Sequence, residues 1–388
     1  MEQSAGTALA ALTTLRVGGA ARRLLRAFDR GELVEACLSV WADGEPWFVL
    51  GGGSNVVVSD EGFDGTVIAV ATQGIELFEA GPADAPGTVR MRVQAGESWE
   101  AVVATAVAQG LSGIEALSGI PGQTGAAPVQ NIGAYGQEIA SVLVGVEFLD
   151  YETGELQWLA ASELAFGYRT SVFKRGRAGV VVSLDLRLSR GGADGPEALG
   201  QPIEYDQLAR ALGVGLGERV AVGAVRDAVL RLRASKGMVL DPADPDSVSA
   251  GSFFTNPIVS ETFARTLPTD APRWLTEPEE PATIIPFAGF GAHVDEPSTP
   301  VPRDSAYTVK LSAAWLIEQA GIRRGFALPG SDAAISSKHT LAIVNRGGAT
   351  AEQVAELARF VQWRVQAEFG VNLAPEPVFV GFGAPADE

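Results

Sequence analysis

Short apolar runs separated by glycine-containing turns open the chain, and longer stretches with one apolar face follow. Residues 46–50 and 66–70 are apolar runs of strand length on either side of the glycine-rich turn 51–55. Ser98 then precedes a stretch with helical apolar spacing that ends at Gly110. The first part of the chain is therefore predicted to mix strands with a helix capped by Ser98.

The remaining regular elements are predicted from the same patterns. The clearest is a helix over 350–370, in which Thr350 and Gln353 have the spacing of a capping box and Gly370 ends the apolar pattern. Further strands are predicted at 142–150, 179–188, 341–345 and 377–381, and further helices at 222–236 and 310–321. No internal repeat of solenoid length occurs.

Two long segments lack these patterns. Residues 111–138 are too rich in Gly and Pro for regular structure, and a loop of that length is commonly functional. Residues 268–305 hold many prolines, which predicts a long loop or an ordered insertion. A domain boundary is predicted near residue 236.

Composition limits the classes of protein that fit. A chain of 388 residues is long enough for two or three domains, and no window has the roughly 20 apolar residues that a bilayer crossing needs. The start of the chain lacks the basic and apolar regions of an export signal. Cys37 is the single cysteine, which excludes internal disulfides and thiolate zinc clusters and fits a reducing cytoplasm. The net charge of −18 argues against nucleic acid as a partner.

The turn 51–55 has the composition of a phosphate-binding loop. Its glycines would let backbone amides approach a phosphate, although a plain hairpin turn is an equal alternative. Neither a Walker loop nor a G-x-G-x-x-G motif that opens a helix is present. Because 111–138 is a second glycine-rich region, an extended ligand with a diphosphate could contact both.

Ser252 lies in the segment "SAGSFFTNP", outside any known nucleophile motif. The G-x-S-x-G elbow is absent, and neither His293 nor His339 stands in the context of a catalytic base. One interpretation is a small buried residue in a turn. The alternative is an acid that protonates a carbanion or enolate held close to the hydroxyl.

Charged residues near these segments are candidate partners for such an intermediate. Arg169 lies between aromatic residues in "FGYRTSVFK", and a guanidinium can form a bidentate pair with a carboxylate. Lys236 ends a predicted helix just before the serine segment. Glu376 has proline on both sides, which would fix the direction of its carboxylate. The alternative for Arg169 and Lys236 is an ordinary surface charge, and the alternative for Glu376 is an exposed acid in a turn.

Seven segments in order resemble those of the UDP-N-acetylenolpyruvoylglucosamine reductase family. They are "TTLRVGG", "VLGGGSNVVVSD", "GIEALSGIPGQTGAAPVQNIGAYGQE", "FGYRTSVFK", "AGSFFTNP", "AAWLIEQAG" and "LAPEPVFVG". The resemblance implies an α+β chain with a two-subdomain FAD-binding fold of the vanillyl-alcohol-oxidase type and a C-terminal α+β substrate-binding domain. It implies FAD-binding subdomains at 1–75 and 76–235, a substrate-binding domain at 236–370 and a C-terminal strand at 371–388 that returns to the active site.

The resemblance also implies a reaction and its residues. NADPH would reduce FAD, and hydride would pass to the enolpyruvyl ether of a UDP-sugar in peptidoglycan precursor synthesis in the cytoplasm. Ser252 would protonate the intermediate, and Arg169 and Glu376 would stabilise its charge. Cofactor contacts are implied for Gly51, Gly52, Gly53, Ser54, Asn55, Gly122, Gln123, Asn131, Gly133 and Gly136, and substrate contacts for Tyr205, Lys236, Asn256, Tyr307 and His339. No metal, no membrane insertion and a monomer are expected.

Two residues depart from the family pattern, and two rival functions remain open. Thr255 stands where the family often has lysine, and His339 where it often has glutamine. A different flavoenzyme on the same fold, such as an oxidase of alcohols or sugars, would have no reason to keep Arg169, Ser252 and Glu376 together. A nucleotide-sugar-binding protein without catalysis would bind flavin but not accept electrons from NADPH.

Overall fold

The structure is a computed structural model that describes residues 1–79, 81, 84–192, 194–276 and 308–383. The chain divides into two compact units. The first unit is assembled from 1–253, 324–358 and 376–388, and the second from 254–323 and 359–375. The four-part division implied by the resemblance stays a prediction.

Helices and strands alternate irregularly along the described chain. The helices are Arg30–Ala42 (α1), Trp99–Ala108 (α2), Asp206–Leu212 (α3), Val222–Ala234 (α4), Glu261–Ala264 (α5), Ala313–Gln319 (α6) and Ala351–Phe369 (α7). The strands are Glu2–Ser4 (β1), Ala21–Ala27 (β2), Trp47–Leu50 (β3), Val56–Val58 (β4), Phe63–Val70 (β5), Ile75–Glu79 (β6), Thr88–Gln94 (β7), Leu111–Ser112 (β8), Gly133–Ala134 (β9), Gln137–Glu138 (β10), Leu143–Asp150 (β11), Leu156–Ala160 (β12), Gly179–Arg190 (β13), Leu199–Pro202 (β14), Arg219–Ala221 (β15), Ile258–Ser260 (β16), Arg273–Thr276 (β17), Thr308–Leu311 (β18), Ala333–Ile335 (β19), Ile343–Asn345 (β20) and Val378–Val380 (β21).

A mostly parallel sheet opens the first unit, with strand order β1-β2-β5-β3. Strand β5 pairs in parallel with both β2 and β3, so their carboxyl ends meet at one edge. Helix α1 begins after Asp29, whose side chain accepts a hydrogen bond from the backbone of Glu32, and it buries Leu33 and Val40. The glycine-rich turn 51–55 directly follows β3 and therefore lies at this edge.

A larger antiparallel sheet follows, with the order β12-β11-β13-β7-β6 and β8 attached to β13. Alternate residues of β7, including Met91 and Val93, are fully buried in one core with Val102 and Val103 of α2. Ser98 caps α2 by accepting a hydrogen bond from the backbone of Ala101, as predicted. This core fixes the segment 111–138 that lies beyond α2.

Segment 111–138 is an ordered loop with short 3-10 turns and short strands. Its backbone is held to the connection between β7 and α2, because Thr124 donates to the carbonyl of Glu97 at 2.9 Å and Gly125 to that of Ala95 at 2.8 Å. Gly122 accepts from the backbone of Trp99 at 3.1 Å. The loop is therefore rigidly attached to the larger sheet.

The end of the described chain returns to the first unit. Strand β21 pairs in parallel with β4, with Val378 opposite Val56. The backbone of Val378 also donates to the carbonyl of Asn55 at 3.0 Å, which brings Glu376 beside the glycine-rich turn.

The second unit contains a three-stranded antiparallel sheet in the order β16-β18-β17. A helix over 310–321 was predicted here, but residues 308–311 form strand β18 and α6 begins only at Ala313. Ser312 is the reason, because its side chain accepts a hydrogen bond from the backbone of Trp315 and so caps the helix.

The capping box predicted for the longest helix is confirmed. The backbone of Gln353 donates to the Thr350 hydroxyl at 3.1 Å, and the backbone of Thr350 donates to the Gln353 side chain at 3.3 Å. Asp60 accepts two further hydrogen bonds from this helix start. No helix in the described part of the chain combines the length and apolar character of a membrane span.

Candidate active site

A cavity of about 340 Å³ in the first unit brings together residues that are far apart in the sequence. Arg169, Ser252 and Glu376 all line it, as do the glycine-rich turn 51–55 and Gly122. Gln123 and Gly133 line it as well. The three residues assigned to catalysis from the resemblance therefore face one space together with eight of the ten residues assigned to the cofactor.

Glycine is required where the two glycine-rich segments meet. A Cβ on Gly52 would lie 2.8 Å from the Cα of Gly122, and a Cβ on Gly53 would lie 2.0 Å from the carbonyl oxygen of Leu12. Gly53 also has a φ of +61°, which favours glycine. The glycines at 52 and 53 are therefore explained by close backbone contact.

The substitution Gly52→Ala should weaken FAD binding. The new methyl group must push the two glycine segments apart, and strain of about 1–3 kcal/mol corresponds to roughly a 5- to 150-fold higher Kd. Titration of the apoprotein with FAD, followed by flavin fluorescence, measures the effect. Gly383→Ala is the control, because nothing lies within 4 Å of its new Cβ. Equal affinity in both variants would contradict the proposed contact.

The residues around this cavity fit an extended flavin nucleotide. Gly51 and Gln123 also line two neighbouring cavities of about 610 and 260 Å³, so space continues beyond the turn. Gln123 Oε1 and Arg233 Nε are buried without a hydrogen-bond partner in the described part of the chain. Buried polar atoms without partners are costly, so these two atoms favour a polar ligand in the cavity.

Arg169 is held in an unusual backbone conformation, with a φ of +53°. Its Nη1 donates to the carbonyl of Asn131 at 3.1 Å and its Nη2 to that of Gly133 at 2.7 Å. The distance between its Nε and Glu376 Oε1 is 3.8 Å. Arg169 therefore fixes the glycine-rich loop with its two terminal nitrogens. A bidentate pair of its guanidinium with the carboxylate of a bound intermediate stays a prediction.

Glu376 is a buried acid, so the alternative of an exposed turn residue is wrong. Its side chain is 15% exposed. Burial raises the pKa of its carboxyl, and the charges of Arg169 and Lys174 and a hydrogen bond from Gln130 oppose that rise. Its backbone donates to the carbonyl of Phe253 at 2.9 Å, which ties it to the serine segment.

Ser252 lies in a loop fixed by its neighbours rather than by its own side chain. Phe253 and Phe254 are buried, and the backbone of Phe253 donates to the carbonyl of Leu341 at 2.7 Å. Within the described residues no group forms a hydrogen bond with the Ser252 hydroxyl. Its O–H is therefore available to a ligand in the cavity.

The other cofactor residues assigned by resemblance lie outside this lining. Asn131 is buried and donates through its side chain to Glu138 at 2.9 Å and to the carbonyl of Gly167 at 3.1 Å. Asn131 therefore supports the loop that holds Arg169. Gly136 lines a separate cavity of about 470 Å³.

The substrate residues assigned by resemblance are not all brought together. Tyr205 is 46% exposed and packs against Tyr135, while Lys236 donates to Gln207 at 3.0 Å. Asn256 belongs to the second unit, where its side chain accepts a hydrogen bond from the backbone of Ala313. Tyr307 lies outside the described residues.

His339 lies near several cations. Burial lowers the pKa of its imidazole from 6.5 to about 4, and Lys236, Arg324 and Arg233 act in the same direction. The imidazole is therefore neutral at neutral pH in the folded protein.

The substitution His339→Gln should make the protein less sensitive to acid. Between pH 6.5 and about 4 the unfolded chain binds a proton at His339 that the folded protein does not, so the free energy of unfolding falls as the pH falls. Thermal unfolding across this window should show a larger fall of the midpoint for the unsubstituted protein than for the variant. Parallel pH curves would contradict the neutral, buried imidazole.

Three residues of this cavity were missed by the sequence reasoning. They are Gln130, Lys174 and Arg233, and all of them line it. Lys174 belongs to the quoted segment "FGYRTSVFK", and Arg233 precedes Lys236 by three residues, so proximity to recognised positions was an available signal. Arg233 is 7% exposed, and its Nη2 donates to the carbonyl of Met238.

Comparison with known proteins gives a consistent result. A family model described as UDP-N-acetylenolpyruvoylglucosamine reductase, C-terminal domain, matches residues 242–380, and an FAD binding domain model matches residues 21–160. A UDP-N-acetylenolpyruvoylglucosamine reductase from Leifsonia xyli subsp. xyli is 63% identical over 378 residues, which covers 96% of this chain and 98% of that protein. One from Saccharopolyspora erythraea is 46% identical, with 97% and 95% covered.

A solved structure shares the fold. The crystal structure of UDP-N-acetylenolpyruvylglucosamine reductase from Thermus caldophilus is similar with a TM-score of 0.59 and 27% identity, and the match covers 98% of both chains. The predicted fold class, an α+β chain with an FAD-binding fold followed by a C-terminal α+β domain, is confirmed.

Proposed function

Because the chain belongs to the UDP-N-acetylenolpyruvoylglucosamine reductase family, an FAD-dependent oxidoreductase family of peptidoglycan precursor synthesis, we propose that it uses NADPH to convert the enolpyruvyl ether of UDP-N-acetylglucosamine into UDP-N-acetylmuramate. The observation that carries this proposal is the convergence of Arg169, Ser252 and Glu376 on the cavity formed by the glycine-rich turn.

FAD would be held by the turn 51–55 and by Gly122, Gln123 and Gly133. When bound, it supplies the hydride that the chain's own side chains cannot provide. The backbone amides of a glycine-rich turn suit a diphosphate. Arg233 is a buried cation whose Nε has no hydrogen-bond partner among the described residues, so it suits an anionic or carbonyl oxygen of the ligand in the same cavity.

Ser252 would supply the proton of the reaction. Addition of hydride to the terminal CH₂ of the enolpyruvyl group breaks its C=C bond and leaves an electron pair on the carbon next to the carboxylate. The Ser252 Oγ–H then gives its proton to that carbon, so that one hydride and one proton convert CH₂=C(OR)–COO⁻ into CH₃–CH(OR)–COO⁻. A weak acid is sufficient because the acceptor is strongly basic.

Arg169 and Glu376 would stabilise the charge that develops on the substrate carboxylate. The Arg169 guanidinium provides a fixed positive field next to the cavity. The raised pKa of Glu376 favours its protonated form, and a protonated carboxyl can donate a hydrogen bond to a substrate oxygen.

Substrate-dependent oxidation of NADPH tests the function. Purified protein with FAD should consume NADPH at a sustained rate only when the enolpyruvyl UDP-sugar is present, and the product should be heavier by two hydrogens. Reduction of the flavin by an alcohol or a sugar, with dioxygen consumed as the electron acceptor, would instead support the oxidase alternative. Flavin that stays oxidised after NADPH is added would support the binding protein. NADPH as the reductant, a monomeric state and a cytoplasmic location are parts of the proposal.

A further inference from the structure

Glu376 begins and ends a ring of hydrogen bonds that passes through Asn55 and Gln130. Asn55 Nδ2 donates to the backbone carbonyl of Glu376 at 3.2 Å and to Gln130 Oε1 at 2.8 Å. Gln130 Nε2 donates to Glu376 Oε1 at 3.0 Å. All three residues line the cavity described above.

The direction of every hydrogen bond in this ring is fixed by the backbone. A carbonyl oxygen can only accept, so the amide nitrogen of Asn55 must face the carbonyl of Glu376. The second hydrogen of that nitrogen needs an acceptor, which places the oxygen of the Gln130 amide toward Asn55. The NH₂ group of Gln130 must then face the Glu376 carboxyl.

This order makes the two carboxyl oxygens of Glu376 unequal. Oε1 receives the N–H of Gln130 and is also the oxygen nearest Arg169, so it acts as an acceptor. Oε2 has no hydrogen-bond partner within the described chain. A proton on the carboxyl would compete with the N–H of Gln130 at Oε1 but not at Oε2.

We propose that Asn55 and Gln130 are positioning residues that hold the Glu376 carboxyl with Oε1 as a permanent acceptor, so that Oε2 carries the acidic proton offered to the substrate. The proposal rests on the proposed function, in which Glu376 acts in its protonated form. It adds that a residue of the glycine-rich turn, Asn55, decides which oxygen of the acid is protonated.

Two charged groups that act on the Glu376 carboxyl come from one other segment. Arg169 and Lys174 both belong to the stretch 166–174, and Lys174 Nζ donates to the backbone carbonyl of Glu376 at 3.0 Å. Arg233 lines the same cavity. These cations stay in place when Gln130 is changed, so the contribution of the ring can be measured separately.

The test uses the pH dependence of one half-reaction. Enzyme with prereduced FAD is mixed with the enolpyruvyl UDP-sugar, and the return of flavin absorbance is followed across pH. The rate of flavin reoxidation should fall at high pH as Glu376 ionises, which gives the pH–rate profile a descending limb. Glu376→Gln should abolish that limb. If the limb persists in Glu376→Gln, the acid role of Glu376 in the proposed function is wrong.

Gln130→Met should then shift the limb to higher pH by about one unit, because losing one hydrogen bond to Oε1 disfavours the carboxylate. Gln130→Glu should shift it further, because a second carboxyl faces the first. Gln157→Met, a change in β12 outside the cavity lining, is the control and should leave the limb unchanged. A limb that disappears in Glu376→Gln but does not move in Gln130→Met would overturn the positioning role alone.

Infrared spectroscopy adds a readout that loss of structure does not mimic. With isotope-labelled glutamate, the C=O stretch of protonated Glu376 should move to higher frequency in Gln130→Met, because Oε1 loses the hydrogen bond that weakens its double bond. An unchanged stretch in a variant that retains FAD would overturn the proposal.

Discussion

Ser252→Ala should reduce flavin normally and then fail to pass the electrons on. We expect the rate of flavin reoxidation by the enolpyruvyl UDP-sugar to fall by about 10²- to 10⁴-fold, the usual contribution of a positioned acid. Flavin reduction by NADPH should be unchanged, because it needs no proton from this hydroxyl. The fold should tolerate the change, since the hydroxyl has no hydrogen-bond partner in the described chain and Phe253 and Phe254 anchor the loop.

Two further variants make this result specific. Ser252→Cys keeps a protic group and should react at a rate between those of the alanine variant and the unsubstituted protein. Ser235→Ala removes an exposed hydroxyl that donates to the carbonyl of Leu232, and it should change neither half-reaction. If Ser252→Ala reoxidises as fast as the unsubstituted protein, the proton comes from another group.

Arg169→Lys should slow flavin reoxidation by the sugar nearly as much as Ser252→Ala does, although it keeps the positive charge. Lysine is a point donor and cannot hold the carbonyls of Asn131 and Gly133 at once, as the two Nη atoms of Arg169 do. We expect sugar-dependent flavin reoxidation to fall by about 10²- to 10³-fold, with weaker FAD binding because the loop that includes Gly133 loses its anchor.

The comparison of FAD affinity with reoxidation rate separates the two roles of Arg169. Stopped-flow absorbance at saturating FAD measures the rate, and fluorescence titration measures the affinity. Arg175→Lys is the matched control, since this exposed neighbour bonds Ala165 and Thr170 and lies outside the cavity lining. Unchanged affinity and rate in Arg169→Lys would show that a single positive charge is enough.

Local elements could be predicted from the sequence because their determinants are adjacent. The Ser98 cap and the Thr350–Gln353 box each lie within four residues, and both were found where predicted. The segment before Ala313 was assigned to the wrong element, because its apolar positions fit a strand and a helix equally well until the cap at Ser312 is recognised.

The residues of the candidate site could be predicted from the sequence only in part, for a different reason. Recognised motifs pointed to Arg169, Ser252 and Glu376. Gln130 acquires its importance from partners more than 60 residues away, and Arg233 from its burial. No local pattern marks such positions. The anchoring of loop carbonyls by Arg169 likewise depends on a backbone conformation that the sequence does not reveal.

The parallel pairing of β21 with β4 has a consequence for how the enzyme is made. A ribosome synthesises the glycine-rich turn and the serine segment long before it reaches Glu376. The active site therefore cannot be complete on a nascent chain until residues 376–380 have left the exit tunnel. They must then pair with β4, which was synthesised more than 300 residues earlier. Completion of the site is thus a late event in the synthesis of the chain.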